Sequence, residues 1–284
     1  MTFLYNITRI FLIGAVITFI GSQYSVVING FPLFAICAAT AFAVQWIVFV
    51  PSYLLQTEHY YDLTGSITYI LVTSLALYLG QASSVQITLG TLICLWAMRL
   101  GSFLFWRVKK QGKDSRFDGK KEQFSWFFTA WTMQGLWVLF TSAAALAAMT
   151  TQLDASWNWV TTIGLTIWLF GFSTEVVSDY QKTKFRSVPA NKDRFITSGL
   201  WKYSRHPNYF GEITLWFGIA IMALPSLSGW QYGCLISPFF VWYLLQHISG
   251  VAMLDPMAQE RWGDDPEFQQ YTKKTPTIFP RVWK

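Results

Sequence analysis

Residues 198–212 place many polar side chains directly before an apolar run, which is costly at a membrane edge unless something charged binds there. Pro207 disfavours helix in the residue before it and is well suited to start a new one. The first amides of such a helix, together with Arg205, predict an anion-binding site. Glu212, one turn further on, needs a partner or a ligand hydroxyl. The candidate binding residues of this segment are Trp201, Tyr203, Arg205, His206, Asn208 and Tyr209.

A second polar group, Asp179, Lys182 and Arg186, follows an apolar run upstream. Lys182 and Arg186 are four residues apart, so they lie on one face if the helix persists. Asp179 falls on nearly the same face and can orient the two cations. This geometry suits the phosphates of a nucleotide. The alternative is a basic cluster that only sets membrane topology, and for the neighbouring Lys184 we prefer that interpretation.

The elements that must position these residues are membrane-spanning helices. The chain is 53% hydrophobic and 13% charged, and its apolar runs are long enough to cross a bilayer. We predict an all-α, polytopic transmembrane bundle of seven or eight spans. The predicted spans cover residues 6–27, 32–55, 65–81, 86–107, 124–149, 157–178, 209–224 and 231–252.

The distribution of the 21 Lys and Arg residues predicts the orientation, because basic residues near span ends stay in the cytoplasm. With eight spans, the connections at 28–31, 82–85, 150–156 and 225–230 contain no Lys or Arg. Both termini and the candidate site should therefore face the cytoplasm, at a bacterial inner membrane or the endoplasmic reticulum. This topology, with attraction to anionic lipid, accounts for the net charge of +6 without nucleic acid.

The short connections predict one integral membrane domain over residues 1–284, with N-terminal helices to residue 122 and cofactor-binding helices from 123 onward. Cys37, Cys94 and Cys234 each fall in an apolar run and are odd in number. This argues against a disulfide framework and a zinc site, and we predict no metal. No obligatory protein partner is evident.

Three segments together resemble a known family. The run from Gln181 to Arg186, the segment Gly199-Leu-Trp201 and the segment Arg205-His-Pro-Asn-Tyr-Phe-Gly-Glu212 resemble the C-terminal signature of the steroid 5-alpha-reductase and sterol reductase superfamily. The whole chain more closely resembles the bacterial-type branch described as DUF1295. Further matching features are Gln56–Asp62, Leu63–Ser66, Arg99, Lys113–Asp118, Tyr271 and Pro280.

The resemblance implies an NADPH-dependent oxidoreductase that delivers hydride to a carbon–carbon double bond of a lipophilic molecule. Lys182 and Arg186 resemble the phosphate-binding pair. The remaining positions resemble residues along the rest of the cofactor: Asp179, Trp201, Asn208, Tyr209 and Glu212, with Arg99, Arg116, Asp255 and Tyr271 as further contributors. The substrate can be a steroid, an isoprenoid or a fatty acyl chain.

Reduction also needs a positioned acid. In steroid 5-alpha-reductases a Gln-Glu pair acts with a tyrosine, and here Gln56 and Glu58 are separated by Thr57 while Trp96 best matches the tyrosine. That departure puts a 3-oxo-steroid substrate in doubt. Nearby replacements are Tyr60, Tyr61, His59 and Asp62. The catalytic candidates are Gln56, Glu58, Tyr60, Tyr61 and Glu212. The alternative for residues 56–62 is an ordinary wetted loop.

A rival class is the S-adenosylmethionine-dependent methyltransferase of the isoprenylcysteine carboxyl or phospholipid type, which carries a similar Arg-His-Pro-x-Tyr-x-Gly turn. Charge separates the two, since NADPH carries several phosphate charges and the methyl donor one sulfonium and one carboxylate. Four cations together favour the reductase: Lys182, Arg186, Arg205 and Arg99. A channel or a lipid-binding protein without enzymatic activity is a third class, and the clustering of charge on one face disfavours it.

Overall fold

Long helices dominate the computed structural model, which describes residues 2–153 and 156–281. The helices are α1 (Thr2–Gly21), α2 (Leu33–Leu54), α3 (Tyr61–Leu79), α4 (Ser84–Gln111), α5 (Phe124–Thr141), α6 (Ala143–Thr150), α7 (Trp159–Ser187), α8 (Pro207–Ala223), α9 (Ser237–Tyr243), α10 (Gly250–Trp262) and α11 (Pro266–Lys274). A π-helical turn, Leu244–Ile248, lies between α9 and α10. Short 3₁₀ turns cover Ser115–Phe117, Pro189–Asn191, Gly199–Lys202, Leu224–Ser226 and Gly229–Ile236.

The predicted all-α membrane architecture is confirmed. Within the described ranges, seven helices are long and apolar enough to cross a membrane, or eight if α5 and α6 form one span. The fifth predicted span, 124–149, is a pair of helices bent by 59°. The first predicted span is too long at its end, because α1 stops at Gly21 and not at residue 27.

A small β-hairpin follows α1, where the sequence analysis expected a helix end and a short connection. Strand β1 (Val27–Ile28) pairs antiparallel with β2 (Phe31–Pro32). Asn29 and Gly30 form the two-residue turn, with φ values of 49° and 85°. Both values are positive, as a type I′ turn requires, and Asn-Gly is the dipeptide that such turns favour.

Two compact units divide the described helices. Unit 1 comprises residues 1–161 and 220–237, and unit 2 comprises residues 162–219 and 238–284. Helices α5 and α6, which the sequence analysis grouped with the C-terminal half, therefore belong to unit 1. Its core includes a cluster of large aromatic side chains, Phe49, Phe117, Phe127 and Trp131.

Within unit 2, α7 and α8 pack with their backbones in close contact. A Cβ atom on Gly211 would lie 2.5 Å from the amide nitrogen of Glu175, and one on Gly171 would lie 2.5 Å from that of Leu215. Distances below 3.0 Å leave no room for a side chain. The glycines thus allow the helix contact that fixes the starting point of α8 relative to α7.

Candidate functional site

The last turns of α7 carry the first group of predicted cofactor residues. The helix continues to Ser187, which confirms that Lys182 and Arg186 share a helical face. The ammonium of Lys182 lies 4.5 Å from the ring centroid of Trp201. The indole Nε1 of Trp201 in turn donates to the carbonyl of Ser178 at 3.1 Å. Asp179 is buried on the same stretch of helix.

The segment before α8 is held in place by the C-terminal tail. The amides of Arg205 and His206 donate to the carbonyls of Pro276 and Thr277, each at 2.9 Å. The hydroxyl of Ser204 donates to the carbonyl of Ile278 at 2.7 Å. These two backbone segments are therefore hydrogen-bonded to each other in unit 2, and the bonds fix the direction in which the Arg205 and His206 side chains leave the chain.

Tyr271 lies on α11 and contacts the same segment. Its hydroxyl donates to the carbonyl of Trp201 at 2.6 Å, and burial raises its pKa above the usual value. The hydroxyl is committed to the backbone, so Tyr271 acts here as a support for Trp201. Tyr203 is exposed on its outer side, with the ammonium of Lys202 4.5 Å from its ring centroid.

Asp255 joins the two basic side chains of the predicted anion site. Its Oδ2 atom lies 2.9 Å from Nη1 of Arg205, and its Oδ1 atom lies 3.0 Å from Nε2 of His206. Nη2 of Arg205 also donates to the hydroxyl of Thr277 at 2.8 Å. The imidazole of His206 stacks on the ring of Tyr209 with an interplanar angle of 6°.

Burial decides the charge state of His206. It lowers the pKa of this imidazole below its usual value, although the hydrogen bond to Asp255 acts in the opposite direction. The neutral form is therefore favoured near neutral pH. With Nε2 donating its proton to Asp255, Nδ1 is left as an acceptor.

Two buried polar atoms at the start of α8 are the best indication of a ligand. Among the described residues, Nε of Arg205 and Oδ1 of Asn208 have no hydrogen-bond partner although both atoms are buried. A buried donor or acceptor without a partner is unfavourable by about 1–3 kcal/mol. Glu212 lies one turn along α8 from Asn208 and is 9% exposed. Donor, acceptor and carboxylate together can bind a polar small molecule.

The predicted acid cluster lies in unit 1, and its carboxylates are held in ion pairs. Glu58 accepts from Nζ of Lys121 at 2.7 Å and from the amide of Asp114 at 3.1 Å. Burial acts to raise the pKa of Glu58, but its hydrogen bonds, led by that from Lys121, and the charge of Lys121 outweigh it and lower the pKa below its usual value. The ionised form therefore predominates, which suits a structural ion pair or a base better than an acid.

The hydroxyl of Tyr61 is engaged with the backbone. It donates to the carbonyl of Ala130 at 2.9 Å, and its ring packs edge-on against Phe117 and Trp131. Tyr60 is half-exposed and its ring stacks on Phe105. Of the two tyrosines, Tyr60 is therefore the more accessible hydroxyl.

Gln56 ends helix α2 in a left-handed conformation, with a φ of 51°. The amides of Thr57 and Gln56 donate to the carbonyls of Ser52 and Tyr53, which is the pattern of a Schellman motif. The Gln56 side chain itself donates to the carbonyl of Tyr53 at 2.6 Å. Its position is thus explained by helix termination.

The two arginines predicted as cofactor ligands from the N-terminal half also belong to unit 1. Arg116 is paired with Asp62 at 2.6 Å and, through Nε, with Asp114 at 2.9 Å. The guanidinium of Arg99 lies 5.4 Å from the ring centroid of Phe103. Trp96 is buried and meets the ring of Tyr69 edge-on.

The following predicted residues all belong to unit 2: Asp179, Lys182, Arg186, Trp201, Tyr203, Arg205, His206, Asn208, Tyr209, Glu212, Asp255 and Tyr271. Gln56, Glu58, Tyr60, Tyr61, Arg99 and Arg116 belong to unit 1. Their roles stay predictions. Three residues that contact predicted ones were missed from the sequence. Lys121 pairs with Glu58 and Thr277 accepts from Arg205, each over more than 60 positions of chain. Tyr69 is identified by its ring contact with Trp96.

Comparison with known proteins assigns the chain to a family. A family model described as "Protein of unknown function (DUF1295)" matches residues 48–275, most of the chain. The chain belongs to the DUF1295 family. Probable O-methyltransferase ustE of Ustilaginoidea virens is 31% identical to this DUF1295 chain over 121 residues, which are 42% of the chain and 38% of that protein. The chain thus spans less than two fifths of that relative. No solved structure shows a significant match.

Proposed function

We propose that this DUF1295 chain is a membrane enzyme that transfers a methyl group from S-adenosylmethionine to an oxygen atom of a lipophilic molecule. The similarity to Probable O-methyltransferase ustE supports methyl transfer as the reaction. The apolar helices support a substrate that partitions into lipid. The cluster of polar residues in unit 2 is the proposed cofactor site.

The observation that carries this choice is the ion pair between Arg205 and Asp255, with Nη1 and Oδ2 2.9 Å apart. From the sequence, Arg205 is expected to be among the cations available for the phosphates of NADPH. Because Asp255 neutralises it, less positive charge remains for a polyphosphate. S-adenosylmethionine needs less positive charge from the site, since it carries a sulfonium and a single carboxylate.

The two buried atoms without partners fit such a cofactor. Nε of Arg205 can donate to the carboxylate of the methionine part, and Oδ1 of Asn208 can accept from a ribose hydroxyl or the adenine amine. S-adenosylmethionine supplies an electrophilic methyl group when bound. Glu212 is the group that we assign to accept the proton that the substrate hydroxyl loses as its oxygen–carbon bond forms and the methyl carbon–sulfur bond of the sulfonium breaks.

NADPH-dependent reduction of a carbon–carbon double bond is the second candidate. It rests on Lys182 and Arg186, which lie one turn apart on α7, and on the resemblance to the steroid 5-alpha-reductase superfamily. In this case Lys182 and Arg186 would hold the phosphates, and Glu212, the catalytic candidate of the same unit, would supply the proton. NADPH supplies the hydride.

Ligand-dependent thermal unfolding of the detergent-purified chain distinguishes the two, since a ligand that binds only the folded state raises the unfolding temperature. We expect S-adenosylmethionine to stabilise the protein and NADPH to have no effect. Asn208→Ala should raise the S-adenosylmethionine concentration needed for half-maximal stabilisation about fivefold or more. Lys184→Gln, on another face of α7, is the matched control and should behave as wild type.

Stabilisation by NADPH without any effect of S-adenosylmethionine would overturn methyl transfer in favour of the reductase. Lys182→Gln should then weaken the NADPH effect. Arg186→Ala should weaken NADPH binding far more than NADH binding if Arg186 contacts the 2′-phosphate. If neither compound changes the unfolding temperature at millimolar concentration, both candidates are wrong.

A further inference from the structure

A partly open cavity of about 280 Å³ is lined by residues of unit 1, whereas the proposed cofactor residues belong to unit 2. It lies between the loop that follows α2 and the last turns of α4. The lining residues are Thr57, His59, Tyr60, Phe105, Val108 and Lys109. One wall is apolar, formed by Phe105 and Val108 on successive turns of α4, and the ring of Tyr60 stacks on Phe105.

His59 forms a fixed part of the wall. Its Nε2 atom lies 3.0 Å from the carbonyl of Gly112, which can only accept, so Nε2 carries a proton. Its Nδ1 atom lies 2.8 Å from the hydroxyl of Thr57. Both ring nitrogens are engaged, and the groups that can reach a ligand in the cavity are therefore the ammonium of Lys109 and the hydroxyl of Tyr60.

The charge around the cavity is positive. The stretch from Arg107 to Lys113 contains four basic residues and no acidic one. Two of these four are paired with carboxylates, Arg107 with Asp62 at 3.9 Å and Lys113 with Asp118 at 2.7 Å. Lys109 has no ion pair among the described residues, and its ammonium lies 5.2 Å from the ring centroid of Trp106. The cavity is thus complementary to an anion.

The surroundings are those of a membrane interface. Lys109 lies at the end of the candidate span Ser84–Lys110, where basic and aromatic side chains meet lipid headgroups. Trp106 is 65% exposed on that turn, and Leu54 and Leu55 at the end of α2 are 75% and 74% exposed. An occupant of this cavity has lipid beside it.

The volume and the charge of the cavity together indicate which part of a lipid fits. Ligand pockets for drug-sized molecules hold about 300–1,000 Å³, and this cavity of about 280 Å³ falls just below that range. A phosphate headgroup fits within this volume, and the positive charge of Lys109 favours it over an uncharged steroid or acyl chain. We infer that the cavity binds the phosphate headgroup of an anionic phospholipid, with its acyl chains beside the exposed apolar residues of α4. This inference does not rest on the proposed function.

The test uses the delipidated full-length chain in detergent, titrated with phosphatidylglycerol, phosphatidylcholine or inorganic phosphate, with the unfolding temperature as readout. We expect phosphatidylglycerol to stabilise the protein at lower concentration than phosphatidylcholine does. Lys109→Gln should raise the half-saturating phosphatidylglycerol concentration about fivefold, as expected for one interfacial lysine. Lys109→Arg should restore binding. Lys110→Gln, which removes an adjacent exposed lysine outside the cavity, is the matched control.

Three outcomes would overturn the inference. Equal effects of phosphatidylglycerol and phosphatidylcholine would show that headgroup charge is not recognised. Equal losses in Lys109→Gln and Lys110→Gln would show general attraction to a basic surface and no site. Inorganic phosphate that stabilises the protein as strongly as phosphatidylglycerol would identify a free-anion site and exclude the lipid.

Discussion

Nε2 of His206 lies 3.0 Å from Oδ1 of Asp255, and these two residues are 49 positions apart in the chain. The contact ties the residue before α8 to the middle of α10, within unit 2. Asp255 also pairs with Arg205, so one carboxylate holds both basic side chains of the candidate site. The geometry of the anion site therefore depends on a residue outside the segment that suggested it.

Replacing Asp255 with Asn should destabilise the protein by about 1–3 kcal/mol, because Arg205 would lose its charged partner in a partly buried position. Thermal unfolding in detergent measures this. Asp193→Asn is the control, since it breaks the exposed ion pair with Arg261 and should change stability by less than about 1 kcal/mol. Equal effects of the two substitutions would show that the Asp255 contacts have no special importance.

The lowered pKa of His206 predicts a loss of stability in mild acid. The unfolded chain gains a proton on this imidazole near its usual pKa of about 6.5, whereas the folded protein gains it only at a lower pH. Stability should therefore fall as the pH decreases from about 6.5 toward the folded pKa. Unfolding temperatures measured from pH 7.5 to 5 should fall less steeply for His206→Gln. An unchanged slope in the variant would contradict this account.

Gln56→Gly separates a structural role of Gln56 from a catalytic one. Gln56 has a φ of 51°, and a left-handed conformation is unfavourable by about 1–2 kcal/mol for residues other than glycine. The glycine variant should be at least as stable as wild type. Activity retained in Gln56→Gly, and equally in Gln56→Ala, would remove this residue from the catalytic candidates. Activity lost in a stable variant would establish its side chain as functional.

Gly211→Ala should weaken the packing of α7 against α8. The added Cβ would lie 2.5 Å from the amide nitrogen of Glu175, which is backbone and cannot move aside without shifting the helix. We expect a destabilisation of about 1–3 kcal/mol and weaker cofactor binding, measured by thermal unfolding with and without the cofactor. In Gly14→Ala the nearest atom would lie 3.4 Å away, so this control should be close to neutral.

The sequence predicted the membrane helices well, because a span needs a long apolar run and little else. Lys182 and Arg186 share a helical face only if the helix persists beyond its apolar run, and α7 does extend to Ser187. The hairpin at Val27–Pro32 was missed although Asn29-Gly30 favours it, because two-residue strands are too short to show alternation.

The ion pairs could not be predicted in the same way. Glu58 was interpreted as a proton donor, yet it is held by Lys121, 63 positions further along the chain. Asp255 was matched only loosely, and nothing near it in the sequence indicates Arg205 or His206 as its partners. Contacts of this kind depend on how helices distant in sequence pack, and neither periodicity nor local composition records that packing.

The π-helical turn at Leu244–Ile248 makes the position of Asp255 sensitive to the deletion of a single residue. A π turn contains about one residue more than an α turn, so it behaves as a one-residue insertion before α10. Each residue of an α-helix advances the helix by about 100° of rotation. Deleting one residue here would rotate Asp255 by about that angle, away from His206. A homologue that lacks one residue at this point should therefore have lost the contact between Asp255 and His206. The loss of one residue from an exposed loop should leave that contact unchanged.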